Sequence, residues 1–159
     1  MATIGINALH VAIGELTKGV ADGRGETRLS SQVKVYLVYC YASYPNPWCA
    51  AFLSWCLGQA ARMSGYQLPV FRTASTIDLG IFANHQALVL MGTDDSEPGD
   101  FYVLALDVDN PQTDFHCGIV KQKLNGSQFL GIEGNHDYKV ATVTRDASKL
   151  LVFRLRESA

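Results

Sequence analysis

Cys49, His116, Glu133 and Asn135 are the residues of this 159-residue chain whose types and settings suit covalent acyl transfer. A cysteine in the first turn of a helix sits among free backbone N–H groups at the positive end of the helix dipole, which favours its thiolate. The same N–H groups can hold the oxyanion formed when a thiolate attacks an acyl carbon. A histidine takes the thiol proton, and a carboxylate on the far ring nitrogen fixes the tautomer and stabilises the imidazolium. Each residue also has an ordinary structural reading. Cys49 can be a small buried hydrophobe, His116 a strand hydrogen-bonder, Glu133 a solvated edge residue, and Asn135 part of a turn with His136 and Asp137.

Two elements must position these groups. Asn46 is a favoured N-cap and Pro47 suits the first helical position, so a helix is expected from there to Met63, ended by Gly65. Phe52, Leu53, Cys56, Leu57, Ala60 and Met63 recur at helical spacing, and Cys49 falls on the same stripe, which turns its sulfur toward the body of the protein. The second element is a hairpin. A two-residue type I′ turn at Asn125-Gly126 sets Leu124 opposite Ser127, Gly118 opposite Glu133 and His116 opposite Asn135. His116, Glu133 and Asn135 then share one face, with Gly118 leaving their meeting point open, while Cys117, Ile119, Leu130 and Ile132 face the core. A one-residue slip would turn Glu133 away.

The rest of the chain supplies the frame. Amphipathic helices are expected over about 4–16, with Ile6, Leu9, Val11, Ile13 and Leu16 apolar, and from Ser30 or Ser31 to about Tyr41, with Val33, Leu37, Val38 and Tyr41 inward. A polar glycine-rich loop at 22–26 separates them, and a further short helix is expected over 73–84. Strands are expected over 87–91, 100–106, 115–121, 128–133, 140–145 and 150–155. Helices first and strands later predict one α+β domain, residues 1–159, with an antiparallel sheet of five to six strands.

Composition narrows the class. Hydrophobic residues make up 48% and charged residues 18%, an ordinary globular balance, and the net charge of −2 gives no electrostatic reason to expect nucleic acid. No stretch has the apolar length of a membrane span, and the start of the chain lacks the pattern of a secretory signal. Cys40, Cys49, Cys56 and Cys117 form no Cys-x-x-Cys pair and no metal-ligand spacing. Reduced thiols are the expectation, with Cys40 bonded to Cys56 or Cys117 the alternative.

Pro47-Trp48-Cys49-Ala50-Ala51-Phe52, then Pro98-Gly99-Asp100, Phe115-His116-Cys117-Gly118-Ile119-Val120 and Ile132-Glu133-Gly134-Asn135 together resemble the cysteine, histidine-dependent amidohydrolase/peptidase (CHAP) domain. The resemblance implies a papain-like fold and cleavage of peptidoglycan, at the amide joining glycan to peptide or within the peptide. It makes Cys49 the nucleophile, His116 the base, Glu133 the orienting acid and Asn135 a fourth polar member, and it gives Cys117 a packing role. Trp48, Trp55, Tyr44 and Tyr102 are candidates to line a substrate groove, with at least two of them expected in the core. Some phage members bind calcium through an acidic loop, but Asp22 with Glu26 and Asp107 with Asp109 lack calcium-ligand spacing, so no metal or cofactor is expected.

The leading expectation is a monomeric peptidoglycan amidase or endopeptidase. A small catalytic domain of this kind resembles an antibacterial effector of type VI secretion, made in the cytoplasm and exported to act in a rival's periplasm, with an immunity protein in the producer. A prophage endolysin fits the same features. Two other classes stand beside it: a catalytically silent module that binds wall peptides, and an intracellular amidase or acyltransferase for a small amide.

Overall fold

The computed structural model describes residues 3–22, 31–44, 46–65, 71–83, 88–104 and 116–155. Glu26, Asp107 and Asp109 lie outside them, as do parts of the strands expected over 87–91, 100–106 and 115–121. The architecture is α+β. Helices α1 (Ile4–Lys18), α2 (Ser31–Tyr39), α3 (Cys49–Ser64) and α4 (Thr76–Ala83) precede strands β1 (Leu88–Leu90), β2 (Phe101–Leu104), β3 (Cys117–Lys123), β4 (Gln128–His136), β5 (Lys139–Asp146) and β6 (Leu150–Leu155). A 3₁₀ turn, Ala147–Lys149, joins the last two strands. The strands form one antiparallel sheet in the order β1-β6-β2-β3-β4-β5. No described helix is long and apolar enough to cross a membrane.

Local chemistry sets the helix ends. Thr3 accepts from the Ile6 N–H at the start of α1, and Gly19 closes it at φ 69°. Gly65, at φ 65°, closes α3 as expected, but α3 begins later than Asn46 suggested. The Asn46 amide donates to the Ser43 carbonyl instead, so the cap position passes to Trp48, and Cys49 becomes the first helical residue. Helix α3 is buried well beyond a single stripe, from Cys49 through Leu57 except Trp55, whereas Met63 is exposed. Its Ser54 hydroxyl is satisfied by the Thr73 backbone, accepting from N–H at 3.1 Å and donating to C=O at 3.0 Å. On α2, Tyr36 joins Val33 and Leu37 inside; Val38, expected inward, is exposed because the helix turns its Tyr36 edge toward Trp48 and Phe52. Tyr41, also expected inward, is exposed because the helix ends at Tyr39 and Tyr41 sits in the turn beyond it at φ 57°.

The sheet has two dissimilar faces. Phe101, Val103, Cys117, Ile119, Ile132 and Phe153 pack with the helices into the main core. On the other face Tyr102, Val120, Phe129, Ala147 and Val152 form a smaller cluster. All four cysteines are buried free thiols.

The β3–β4 hairpin departs from its expected construction twice. Leu124 N–H bonds to Gln128 C=O, so the connection is the three-residue loop Asn125-Gly126-Ser127, with Gly126 at φ 59°. That shifts Lys123 opposite Phe129 and Gln122 opposite Leu130. A bulge at Lys121 then restores the expected count, and Val120 faces Gly131 and Ile119 faces Ile132. The two offsets cancel before the strands reach His116 and Glu133. The two-residue primed turn lies instead at Asp137-Tyr138, between β4 and β5, with φ 51° and 63°.

Candidate active site

Helix α3 meets the sheet where β4 carries Gly134. A Cβ there would lie 2.6 Å from the Phe52 Cβ, so only glycine lets the helix lie this close. Cys49, one turn before Phe52, is consequently held against the start of β3. It is 5% exposed and hydrogen-bonded to the side chains of Cys117 and His116 and to the Ala50 N–H. The Cys117 contact, then His116 and the helix N–H, outweigh burial and lower the Cys49 thiol to about 5. Cys117 packs in the core as expected and also contacts Cys49; its own thiol is pushed up by burial and by Cys49.

His116 immediately precedes β3, with its side chain 14% exposed. Its Nε2 lies 3.1 Å from Glu133 Oε1, which leaves Nδ1 as the nitrogen for Cys49. Burial disfavours the imidazolium, but the Cys49 hydrogen bond and the Glu133 charge overcome it and raise the ring's pKa above the usual value. Cys49 and His116 thus shift in opposite directions, the behaviour of a thiolate–imidazolium pair.

Glu133 is fully buried and saturated with donors. Arg145 forks onto it, Nε to Oε2 and Nη2 to Oε1, each at 2.7 Å, and the Tyr102 hydroxyl donates to Oε2 at 2.6 Å. Burial would raise the carboxyl's pKa; Arg145, His116 and Tyr102 together outweigh it and hold the group below its usual range. Tyr102 occupies the space above Gly118 and Gly131, where any Cβ would strike its hydroxyl. The meeting point that Gly118 was expected to leave open is thus filled by the tyrosine.

Other sequence expectations are corrected here. Tyr102 and Trp48 are 0% and 1% exposed, so neither lines a groove; Tyr102 supports Glu133 and Trp48 packs near Tyr36, ring centroids 5.9 Å apart. Trp55 is half-buried against the same tyrosine, while Tyr44 is exposed in the segment leading to Cys49. Asn135 makes no side-chain hydrogen bond to any described residue. Its left-handed backbone, φ 57°, falls where the β4–β5 register shifts, and strict alternation fails there. The neighbour that does approach the carboxylate is His136, Nδ1 3.6 Å from Glu133 Oε1, its ring 12° from parallel to that of His116 with centroids 6.0 Å apart. His116, Glu133 and His136 form a group whose donor atoms all lie within 4.8 Å of one another, a metal-capable set that short-range spacing did not reveal.

Arg145, His136 and the inward role of Tyr102 were the functional residues missed. A signal for Arg145 existed, since it stands opposite Phe129, on the face shared by residues 129, 131 and 133, with side-chain-free Gly131 between. No protein-family model matches the chain, and a search of curated proteins returns no match.

Proposed function

We propose that this protein is a papain-like cysteine amidohydrolase of the CHAP type, cutting amide bonds of bacterial cell-wall peptide through a thioester. The observation that carries this reading is Cys49 at the start of α3, its thiol shifted down to about 5, against a His116 whose far nitrogen lies 3.1 Å from buried Glu133. A structural cysteine buried among apolar side chains shifts the other way, as Cys56 does.

In this mechanism the Cys49 thiolate attacks the scissile carbonyl carbon. Backbone N–H groups of the first turn of α3 receive the oxyanion, Phe52 N–H being already committed to the Trp48 carbonyl at 2.8 Å. His116 Nδ1–H gives its proton to the departing amine, then draws one from the water that hydrolyses the thioester. Glu133 keeps the imidazole oriented throughout, and Arg145 and Tyr102 keep Glu133 ionised and still. Tyr44, exposed before Cys49, is available to touch substrate.

The test is digestion of purified peptidoglycan by the wild type and Cys49→Ala, with mass spectrometry of the released muropeptides. New amine and acid ends from the wild type alone support the reading and identify the bond. No fragments from either protein would leave a binding module, and intact sacculi beside turnover of a small amide would leave an enzyme of another class.

A further inference from the structure

His136 has no part in the mechanism above, yet it brings a second imidazole to the carboxylate that His116 uses. Its side chain is 42% exposed, against 14% for His116 and 0% for Glu133, so the group opens to solvent on the His136 side. The donor spacing is specific. Two ligands on one tetrahedral zinc, each about 2.1 Å from the ion, stand about 3.4 Å apart. Glu133 Oε1 is 3.1 Å from His116 Nε2 and 3.6 Å from His136 Nδ1, on either side of that value. Two imidazoles and one carboxylate suit zinc and its first-row neighbours, whereas calcium and magnesium require more oxygen ligands.

We propose that His116, Glu133 and His136 form a reversible inhibitory site for a divalent cation of the zinc type, with solvent at the remaining position. The cation takes the Nε2 electron pair of His116. A His116 that was imidazolium releases one proton to solvent, and a neutral ring moves its proton from Nε2 to Nδ1. In both cases the result is a neutral, cation-bound ring whose Nδ1 carries the hydrogen. Beside a Cys49 thiolate it is a far weaker acid than imidazolium for protonating the departing amine, and beside a Cys49 thiol it has no electron pair with which to accept the proton. Arg145 stays on Glu133, its positive charge weakening the carboxylate as a donor, so the cation is exchangeable. The inhibitory half of this proposal rests on the hydrolase reading; the binding half does not.

Binding is measured first on the full chain carrying Cys49→Ala, which removes the sulfur as a ligand, by titrating zinc chloride against a chromophoric zinc indicator. One zinc per chain is expected, weakened at least tenfold by adding His136→Ala and likewise by His136→Gln, the second variant guarding against misfolding of the first. Cobalt(II) at the same site gives visible d–d bands that both variants lose. Inhibition is then measured with Cys49 present, each protein against its own chelator-treated rate. Zinc inhibits, chelator restores the rate, and either His136 substitution raises the inhibitory concentration at least tenfold. Zinc affinity unchanged by both His136 variants overturns the site, and equal inhibition of all three proteins overturns the inhibitory role. Zinc binding as expected in a chain that cuts nothing after chelation removes the hydrolase reading and leaves the metal site standing.

Discussion

Arg145 holds Glu133 by both carboxylate oxygens, two parallel bonds of 2.7 Å reaching from β5 to β4. The carboxylate is fully buried and the guanidinium side chain is 22% exposed, so the pair is only partly screened by water. Such a fork neutralises the buried carboxylate that orients His116.

Replacing Arg145 by Gln leaves that charge facing a neutral amide. Unfolding stability at pH 7 is expected to fall by about 3 kcal/mol, measured by urea denaturation. Glu133 has its folded pKa below the ordinary value of 4.5. Its stabilisation is therefore present above that value and lost as pH falls through the folded pKa, so the gap between wild type and Arg145→Gln should close in acid. A gap that is the same at pH 3 and pH 7 would assign the effect to packing.

Glu133→Gln keeps the shape and removes the charge. Turnover is expected to fall about a hundredfold or more with a much smaller change in KM, because the imidazolium loses its stabiliser in the transition state. Tyr102→Phe removes one donor at 2.6 Å and is expected to cost about 1–3 kcal/mol of stability with a milder kinetic effect. Unchanged steady-state kinetics for Glu133→Gln would take that residue out of the site.

The pH–rate profile should be bell-shaped. Its acid limb belongs to the thiolate–imidazolium pair gaining a proton, centred near 5, where Cys49 titrates. Its alkaline limb falls above the ordinary histidine value of 6.5, as His116 loses its proton. A profile that rises steadily through pH 8.5 would describe an unpaired thiol.

Cys117→Val keeps an apolar side chain of similar size and deletes the thiol that contacts Cys49. The acid limb and the iodoacetamide alkylation profile should both move to higher pH, since the leading cause of the lowered Cys49 pKa is gone. Coincident alkylation profiles would return Cys117 to a packing role alone.

How much of this was legible beforehand depends on the range over which each signal acts. Leu150–Leu155 and the Gly65 helix end were readable because period-two alternation and a left-handed cap are local. The start of α3 was not, because Asn46 spends its amide on Ser43, a choice that its propensity does not encode. His116 and Glu133 were paired correctly through a hairpin whose loop and bulge were both unforeseen. Arg145 was not legible because a turn signal fixes only the β3–β4 pairing, whereas the clasp comes from β5, the next strand. The exchange of Asn135 for His136 follows from a single left-handed residue that breaks alternation at the end of β4.

The added loop residue at Asn125-Gly126-Ser127 and the extra residue at Lys121 act as slack and take-up on one ribbon. Shortening the tip by one residue can be absorbed by flattening the kink, with nothing transmitted to the imidazole beyond it. The tip keeps its own anchors, the Ser127 hydroxyl on Asp146 and the Ala147 N–H on the Ser127 carbonyl, so a change of length there is felt locally while the alignment nearer the imidazole stays insulated from it.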